Sequence, residues 1–131
     1  MKVCFFVPDS ELVRAEQEET PLDAERLLRC LGLTGRLIGF QYAVYMVEQV
    51  LYLPEKIQLI TKRLYPETAR HFHTSSNAVE RAIRTLVRTA WRQEDHQTLD
   101  CIAGTHLVQP PSNSEFIDML AGFLRHAQSK E

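Results

Sequence analysis

Residues 66–91, with the sequence PETARHFHTSSNAVERAIRTLVRTAW, constrain the fold more than any other stretch, because two helical patterns there are joined by only a few polar residues. Pro66 suits the first position of a short helix, since its φ is already helical and its missing N–H needs no partner there. His73 falls where the chain must turn sharply, and histidine is one of the few non-glycine residues enriched at positive φ. We expect Ser75 to cap the next helix, with Asn77 as the second choice. The stretch therefore predicts a helix-turn-helix.

The second helix of this motif separates apolar from polar side chains when successive residues are placed about 100° apart. One side, which we expect to face the core, carries Val79, Ile83, Leu86 and Ala90. The opposite side carries Asn77, Ala78, Arg81, Arg84, Thr85 and Arg88, with Glu80 at its edge. Arginine can bind guanine or phosphate, and glutamate can accept from the amino group of cytosine, so this side suits a DNA major groove. A solvated helix face is the alternative that the pattern alone leaves open.

The charge distribution agrees with a basic surface around this motif, although the net charge of the whole chain is −2. Residues 56–92 contain eight lysines and arginines against two glutamates, which gives +6. Residues 1–25 and 93–131 carry −5 and −4, respectively. A basic centre between acidic ends is typical of a protein that presents one face to phosphate.

Length and composition indicate one globular domain and exclude several classes of protein. No apolar run approaches the ~20 residues of a membrane span and no signal peptide is recognisable, so we expect a cytoplasmic protein with no membrane association. Cys4, Cys30 and Cys101 are widely spaced without a CxxC pair, which favours free thiols over a disulfide scaffold or a zinc site. His71 and His73 lack a third ligand at a useful spacing, and neither a nucleophile motif nor a phosphate-binding loop is present. We therefore expect no metal, no cofactor and no catalytic residues, and an enzyme is the poorest interpretation.

The rest of the chain is mostly helical in pattern. Turn residues, capping residues and apolar spacing predict helices over residues 21–31, 39–53, 55–65 and 98–103. A last helix begins at a capping box formed by Ser112 and Glu115 and extends to about residue 128. The third of these carries Lys56, Lys62 and Arg63, which are candidates for contact with the DNA backbone. Residues 1–7 have the composition of one short strand, which Pro8 ends.

Four motifs together resemble the C-terminal DNA-binding effector domain of the master response regulator that starts sporulation in endospore-forming Firmicutes. They are ITKRLYPETARHF (60–72), VERAIR (79–84), AW (90–91) and NSEF (113–116), in the family's order and with similar spacing. The resemblance implies an all-α domain of about six helices, here residues 21–131, with the helix-turn-helix at about 66–91. It also implies that the helix with VERAIR reads short promoter boxes in double-stranded DNA to activate or repress transcription. The RNA polymerase sigma factor, and a second copy of the chain on tandem boxes, are further candidate partners.

The resemblance assigns DNA contacts residue by residue. Glu80 and Arg81 match family positions that touch DNA, and Arg84 matches a phosphate-side arginine. Ala78 departs from the family, which has a base-reading arginine there, so the docking mode can be carried over but the target sequence cannot. Together with the polar residues of the motif, the candidate DNA-binding residues are Ser75, Ser76, Asn77, Glu80, Arg81, Arg84, Thr85, Arg88 and Lys62.

Residues 1–20 resemble the opening of the same family's receiver domain, in MKVC and in DSELV. Val7 and Pro8 stand where the receiver has its metal-binding acidic pair, and no room remains before residue 23 for its phosphoacceptor aspartate. We therefore expect a stand-alone DNA-binding regulator that phosphorylation does not control. The alternative is a protein-interaction module that antagonises the full-length regulator or RNA polymerase without specific DNA binding, through the last helix and residues 93–106.

Overall fold

The computed structural model describes residues 22–93 and 96–129, and all regular structure within these ranges is helical. Six α-helices follow one another: α1 (Ala24–Cys30), α2 (Ile38–Tyr52), α3 (Tyr65–His71), α4 (Ser76–Trp91), α5 (Gln97–Ala103) and α6 (Asn113–Ser129). A 3₁₀ segment (Pro54–Leu59) and a π turn (Ile60–Leu64) connect α2 to α3. The all-α class with about six helices is confirmed, while the strand predicted for residues 1–7 and the receiver-like segment 1–20 lie outside the described residues.

Helix α2 lies at the centre of the core and packs most extensively against α6 and α4. Its buried side consists of Gly39, Phe40, Ala43, Met46, Val47 and Val50. The side chains that α4 and α6 bring to the same core are all apolar: Val79, Ile83, Leu86, Val87, Ala90, Phe116, Ile117, Leu120, Ala121 and Leu124. Each large apolar side chain that becomes buried contributes roughly 1.5–3 kcal/mol. The predicted apolar side of α4 is therefore what holds this helix to the domain, and its other side faces outward.

Two predicted helices differ from those in the structure, one in where it begins and one in its type. Helix α1 begins at Ala24 and not at residue 21, because Asp23 is extended (φ −127°, ψ −178°) and its side chain accepts a hydrogen bond from the Arg26 N–H at 2.9 Å, as an N-cap does. The α-helix predicted over residues 55–65 is instead the 3₁₀ segment followed by the π turn. The Tyr65 N–H donates to the Ile60 carbonyl five residues back. Pro66 follows without an N–H, so an α-helical hydrogen bond cannot form there.

Two of the three cysteines fall in the described part of the chain. Cys30 is buried, and Cys101 is disulfide-bonded. The expectation of free thiols is therefore wrong for Cys101. Among the described residues, no helix has both the length and the apolar character to span a membrane.

Candidate nucleic-acid interface

The turn between α3 and α4 has the geometry that the sequence predicts. His73 has φ 58° and is the one non-glycine residue with positive φ in the described ranges. The Thr74 N–H donates to the Ala69 carbonyl at 2.8 Å, and the His73 N–H donates to the Arg70 carbonyl at 3.3 Å. These two bonds form a Schellman motif, which ends a helix with one left-handed residue. Helix α3 is thereby stopped abruptly and α4 starts after only a few residues.

Ser75 caps α4, as predicted. Its backbone is extended (φ −105°, ψ 157°) and its Oγ accepts a hydrogen bond from the Ala78 N–H at 3.1 Å. Because this bond uses Oγ as the acceptor, the Ser75 hydroxyl hydrogen stays available for a second partner. Asn77, the second choice for the cap, lies inside the first turn and its side chain is exposed.

The structure places most of the candidate DNA-binding residues on one open side of α4. Exposed there are Asn77, Arg81, Arg84, Thr85 and Arg88, while Ser76, Ala78 and Glu80 are half-buried at the edges. Lys62 is exposed on the π turn that leads into α3. The side chains on α4 project from a helix whose opposite side is buried, so the core sets the position of the helix that carries them.

The charges on this side of α4 are not equivalent. Arg84 forms an ion pair with Glu80, one turn earlier on the same helix. Within residues 22–93 and 96–129, no carboxylate pairs with Arg81 or Arg88. Arg81 and Arg88 are thus the cations of α4 that are immediately available to an anionic partner, whereas Arg84 has to share or leave Glu80.

Two of the three basic residues expected beside the DNA backbone are instead committed to Glu67. Lys56 is buried, and its Nζ lies 2.8 Å from both the Glu67 carboxylate and the Gln49 side-chain oxygen. Arg63 pairs with the same carboxylate at 3.2 Å. The hydrogen bond from Lys56 holds the pKa of Glu67 below its usual value, against the opposing effect of burial. The expectation that Lys56 contacts the backbone is therefore wrong, because this lysine is an internal ion-pair partner under α3.

Two contacts that sequence patterns did not reveal fix the position of α4. The first is a close approach of α2, where a Cβ added at Gly39 would lie 2.5 Å from the Ala82 carbonyl oxygen. The second is the Asn113 amide at the start of α6, which donates to the Glu80 carbonyl at 3.0 Å and to the Tyr65 hydroxyl at 3.1 Å. Burial raises the pKa of Tyr65. The NSEF motif contained Asn113, but its role depends on residues far away in the sequence.

Helix α3 is held to α2 by stacked rings. His71 stacks on Tyr45 with ring centroids 4.3 Å apart, and Phe72 packs on Tyr42 at 5.0 Å. Such ring pairs contribute about 0.5–1.5 kcal/mol beyond their buried area. They give His71 a structural role, and they fix α3 relative to the helix on which α4 also packs.

Two grooves flank α4 on opposite sides. The first groove, with a volume of ≈ 600 Å³, separates α4 from the start of α2 and is lined by Arg36, Leu37, Ile38, Gly39, Tyr42, Thr74, Ala78, Arg81, Ala82, Thr85 and Leu86. The second groove, of ≈ 470 Å³, separates α4 from the π turn and the proline-rich loop and is lined by Ile60, Thr61, Tyr65, Glu80, Arg84, Val87, Arg88, Pro110, Pro111, Ser112, Asn113 and Ser114. No residue lines both grooves, so α4 stands between them as a ridge.

The family model described as "Sporulation initiation factor Spo0A C terminal" matches residues 24–124 of this chain. The match begins at the first residue of α1, includes the whole helix-turn-helix and ends within α6. It confirms the resemblance that the four motifs indicated, and it covers the six-helix domain that carries the ridge and its two grooves.

Proposed function

Since this chain belongs to the Spo0A C-terminal family of DNA-binding effector domains, we propose that it is a sequence-specific transcriptional regulator whose helix α4 enters the DNA major groove. The observation that carries this proposal is the side of α4 on which Arg81, Arg88, Asn77 and Thr85 are all exposed and Arg81 and Arg88 have no carboxylate partner among the described residues. An α-helix that stands out as a ridge fits a major groove about 12 Å wide.

Each exposed side chain then has a role that its chemistry supports. Arg81 forks onto the two acceptors of guanine, and Glu80 accepts from the amino group of cytosine. Arg88, Lys62 and Arg84 contact phosphates, with Arg84 exchanging its bond to Glu80 for a phosphate.

The polar residues around the start of α4 complete the interface. The Ser75 hydroxyl, whose oxygen already caps the helix, donates its hydrogen to a phosphate oxygen. Ser76 and Asn77 form hydrogen bonds with phosphates or base edges, because residues near the start of a recognition helix lie deepest in the groove. Thr85 lies further along the same exposed side of α4 and can form a hydrogen bond with a phosphate or a base edge.

The proposed regulator is not controlled by phosphorylation, because Val7 and Pro8 occupy the places of the receiver's acidic pair in the sequence. Acyl phosphate or a histidine-kinase relay should therefore leave DNA binding unchanged. Two copies on tandem promoter boxes, and contact with the RNA polymerase sigma factor, are further proposals from family membership.

A second candidate function is that of an interaction module that antagonises the full-length regulator or RNA polymerase. The loop after α5 favours it, because Val108 is 84% exposed there. Asp100 holds this loop in place by accepting from the Leu107 N–H at 3.1 Å and from His106 Nδ1 at 2.8 Å. Burial raises the pKa of Asp100, but these two bonds, together with the nearby His106 and His96, keep the pKa below its usual value.

An electrophoretic mobility shift with a sporulation promoter box and a scrambled duplex of equal length separates the two candidates. The proposed regulator shifts the box at much lower protein concentration than the scrambled duplex. Equal shifts of both, or none, would support the interaction module. Selection of bound sequences from random duplex DNA then defines the target without assuming the family's box.

A further inference from the structure

Arg36 lies on the outer wall of the first groove, across from Arg81 and Thr85 of α4. It is exposed, and in the described part of the chain its guanidinium pairs with no carboxylate. Within the described ranges, Arg36 forms a hydrogen bond through its backbone, since its N–H donates to the Thr34 hydroxyl oxygen at 3.3 Å. Ile38, two residues further along the same wall of the groove, is 72% exposed. This rim of the groove therefore presents one unpaired cation to solvent.

The position of this cation relative to α4 is fixed by the fold. Arg36 comes two residues before the first residue of α2, and Gly39 in the first turn of α2 lies directly against the Ala82 carbonyl of α4. No side chain separates the two backbones at this point. The backbone that carries Arg36 is therefore fixed to one side of α4, on the flank opposite to the one that Arg84 and Arg88 line.

The dimensions of DNA explain what two opposite flanks can contact. An α-helix with its side chains is about 10–12 Å across, which is close to the width of the major groove, so the phosphates of the two strands lie along the two sides of a docked helix. Contacts to these phosphates set the register and depth of the helix without reading sequence. A cation on each flank meets a different strand.

We propose that Arg36 binds the phosphate backbone of one DNA strand while Arg88 binds the backbone of the opposite strand, so that α4 is held in the groove from both sides. This inference rests on the proposed DNA-binding function and adds a residue outside the helix-turn-helix to the interface. Arg36 is a positioning residue here, because it contacts phosphate and not a base.

The first test compares Arg36→Gln, Arg88→Gln and a control, Arg125→Gln, in binding to the selected duplex at about 50 and 200 mM salt. Each phosphate contact contributes about 0.9 to the slope of log affinity against log salt. When salt rises fourfold, a variant that has lost one contact should therefore lose about 3.5-fold less affinity than the wild type. Arg36→Gln and Arg88→Gln should each show this change. Arg125 donates to the Val50 carbonyl near the other end of α2, roughly 16 Å from Gly39 at 1.5 Å per residue, so its variant should keep the wild-type slope.

The second test identifies the strand by replacing single phosphates with uncharged methylphosphonates. One replacement should weaken DNA binding by the wild type several-fold but leave binding by Arg36→Gln unchanged. A second replacement should weaken the wild type but leave Arg88→Gln unchanged, and it should lie on the other strand. An unchanged salt slope in Arg36→Gln, or both sensitive phosphates on one strand, would overturn the inference while leaving the proposed function intact. A wild type that binds the selected duplex no better than scrambled DNA would overturn the proposed function and, with it, this inference.

Discussion

The basic segment of this chain contains two regions that use their charges in opposite ways. Beneath α3, Lys56 and Arg63 converge on the single carboxylate of Glu67, and the lysine is buried. On α4, Arg81 and Arg88 project into solvent without a carboxylate partner among residues 22–93 and 96–129. The basic segment, residues 56–92, therefore includes both a supporting region, whose charges stabilise the fold, and a reading region, whose arginines face solvent.

The difference matters because stability and binding should respond separately to substitution. The supporting region consists of the contacts that hold α3 and α4: Gly39 against Ala82, Asn113 on Glu80 and Tyr65, and the Lys56–Glu67–Arg63 cluster. The reading region consists of the exposed side chains of α4. Changes in the first should lower the free energy of unfolding and lower binding only as a consequence, whereas changes in the second should alter binding alone.

The largest expected effect is that of Gly39→Ala in the supporting region. The new Cβ would lie 2.5 Å from the Ala82 carbonyl oxygen, and a backbone atom cannot move aside as a side chain can. We expect a loss of about 3 kcal/mol in the free energy of unfolding, at the upper end for overpacking, measured by urea denaturation. Gly122→Ala is the control, since a Cβ there meets nothing within 4 Å. Equal stability of the two variants would show that the contact between α2 and α4 is adaptable.

The charged part of the supporting region predicts a dependence on pH. Because the folded-state pKa of Glu67 is lowered, its contribution to stability is present above the usual glutamate pKa and is lost as pH falls through the lowered value. Glu67→Gln should remove this dependence and cost about 2 kcal/mol at neutral pH, since it leaves the buried charge of Lys56 with neutral amide oxygens in place of its carboxylate partner. Thermal unfolding between pH 3 and pH 7 measures both effects. A variant that keeps the wild-type acid sensitivity would assign that sensitivity to other carboxylates.

The features of the fold that depend on residues close together in the sequence could be predicted from local sequence patterns. Pro66, His73 and Ser75 defined the helix-turn-helix because their effects act within one turn of the backbone, and the apolar side of α4 followed from its periodicity. The Glu80–Arg84 pair could also have been expected from its spacing of four residues.

Contacts between distant residues could not be predicted in this way. Asn113 and Tyr65 are 48 residues apart, and the approach of Gly39 to Ala82 depends on how α2 crosses α4. The burial of Lys56 in the 3₁₀ segment likewise depends on a partner eleven residues away, the Glu67 carboxylate. Charge patterns therefore predicted the basic surface but not which of its members the fold had already neutralised.

Ala78→Arg tests the reading region, where an effect on binding without an effect on stability is expected. Ala78 is half-buried on the edge of α4 beside Arg81 in the first groove. An arginine there should restore a bidentate contact to guanine and tighten binding to the family's box by about 2 kcal/mol. A box with that guanine replaced should show little of this gain, because an arginine that finds only phosphate helps all sequences alike. Equal tightening on every duplex would mean that α4 docks differently.

The smallest expected effect comes from His73, at the junction of the two regions, and a second helix end in the same molecule provides the comparison. Gly32 ends α1 as His73 ends α3, with φ 83° and with bonds from the Leu33 N–H to Leu28 at 3.2 Å and from its own N–H to Arg29 at 3.0 Å. A side chain in this conformation costs roughly 1–2 kcal/mol, and the greater freedom of glycine in the unfolded chain offsets about half of that. His73→Gly should therefore raise the free energy of unfolding by about 0.5 kcal/mol and leave binding to the selected duplex unchanged. If it destabilises the domain instead, the His73 side chain supports the turn, and the junction belongs to the supporting region.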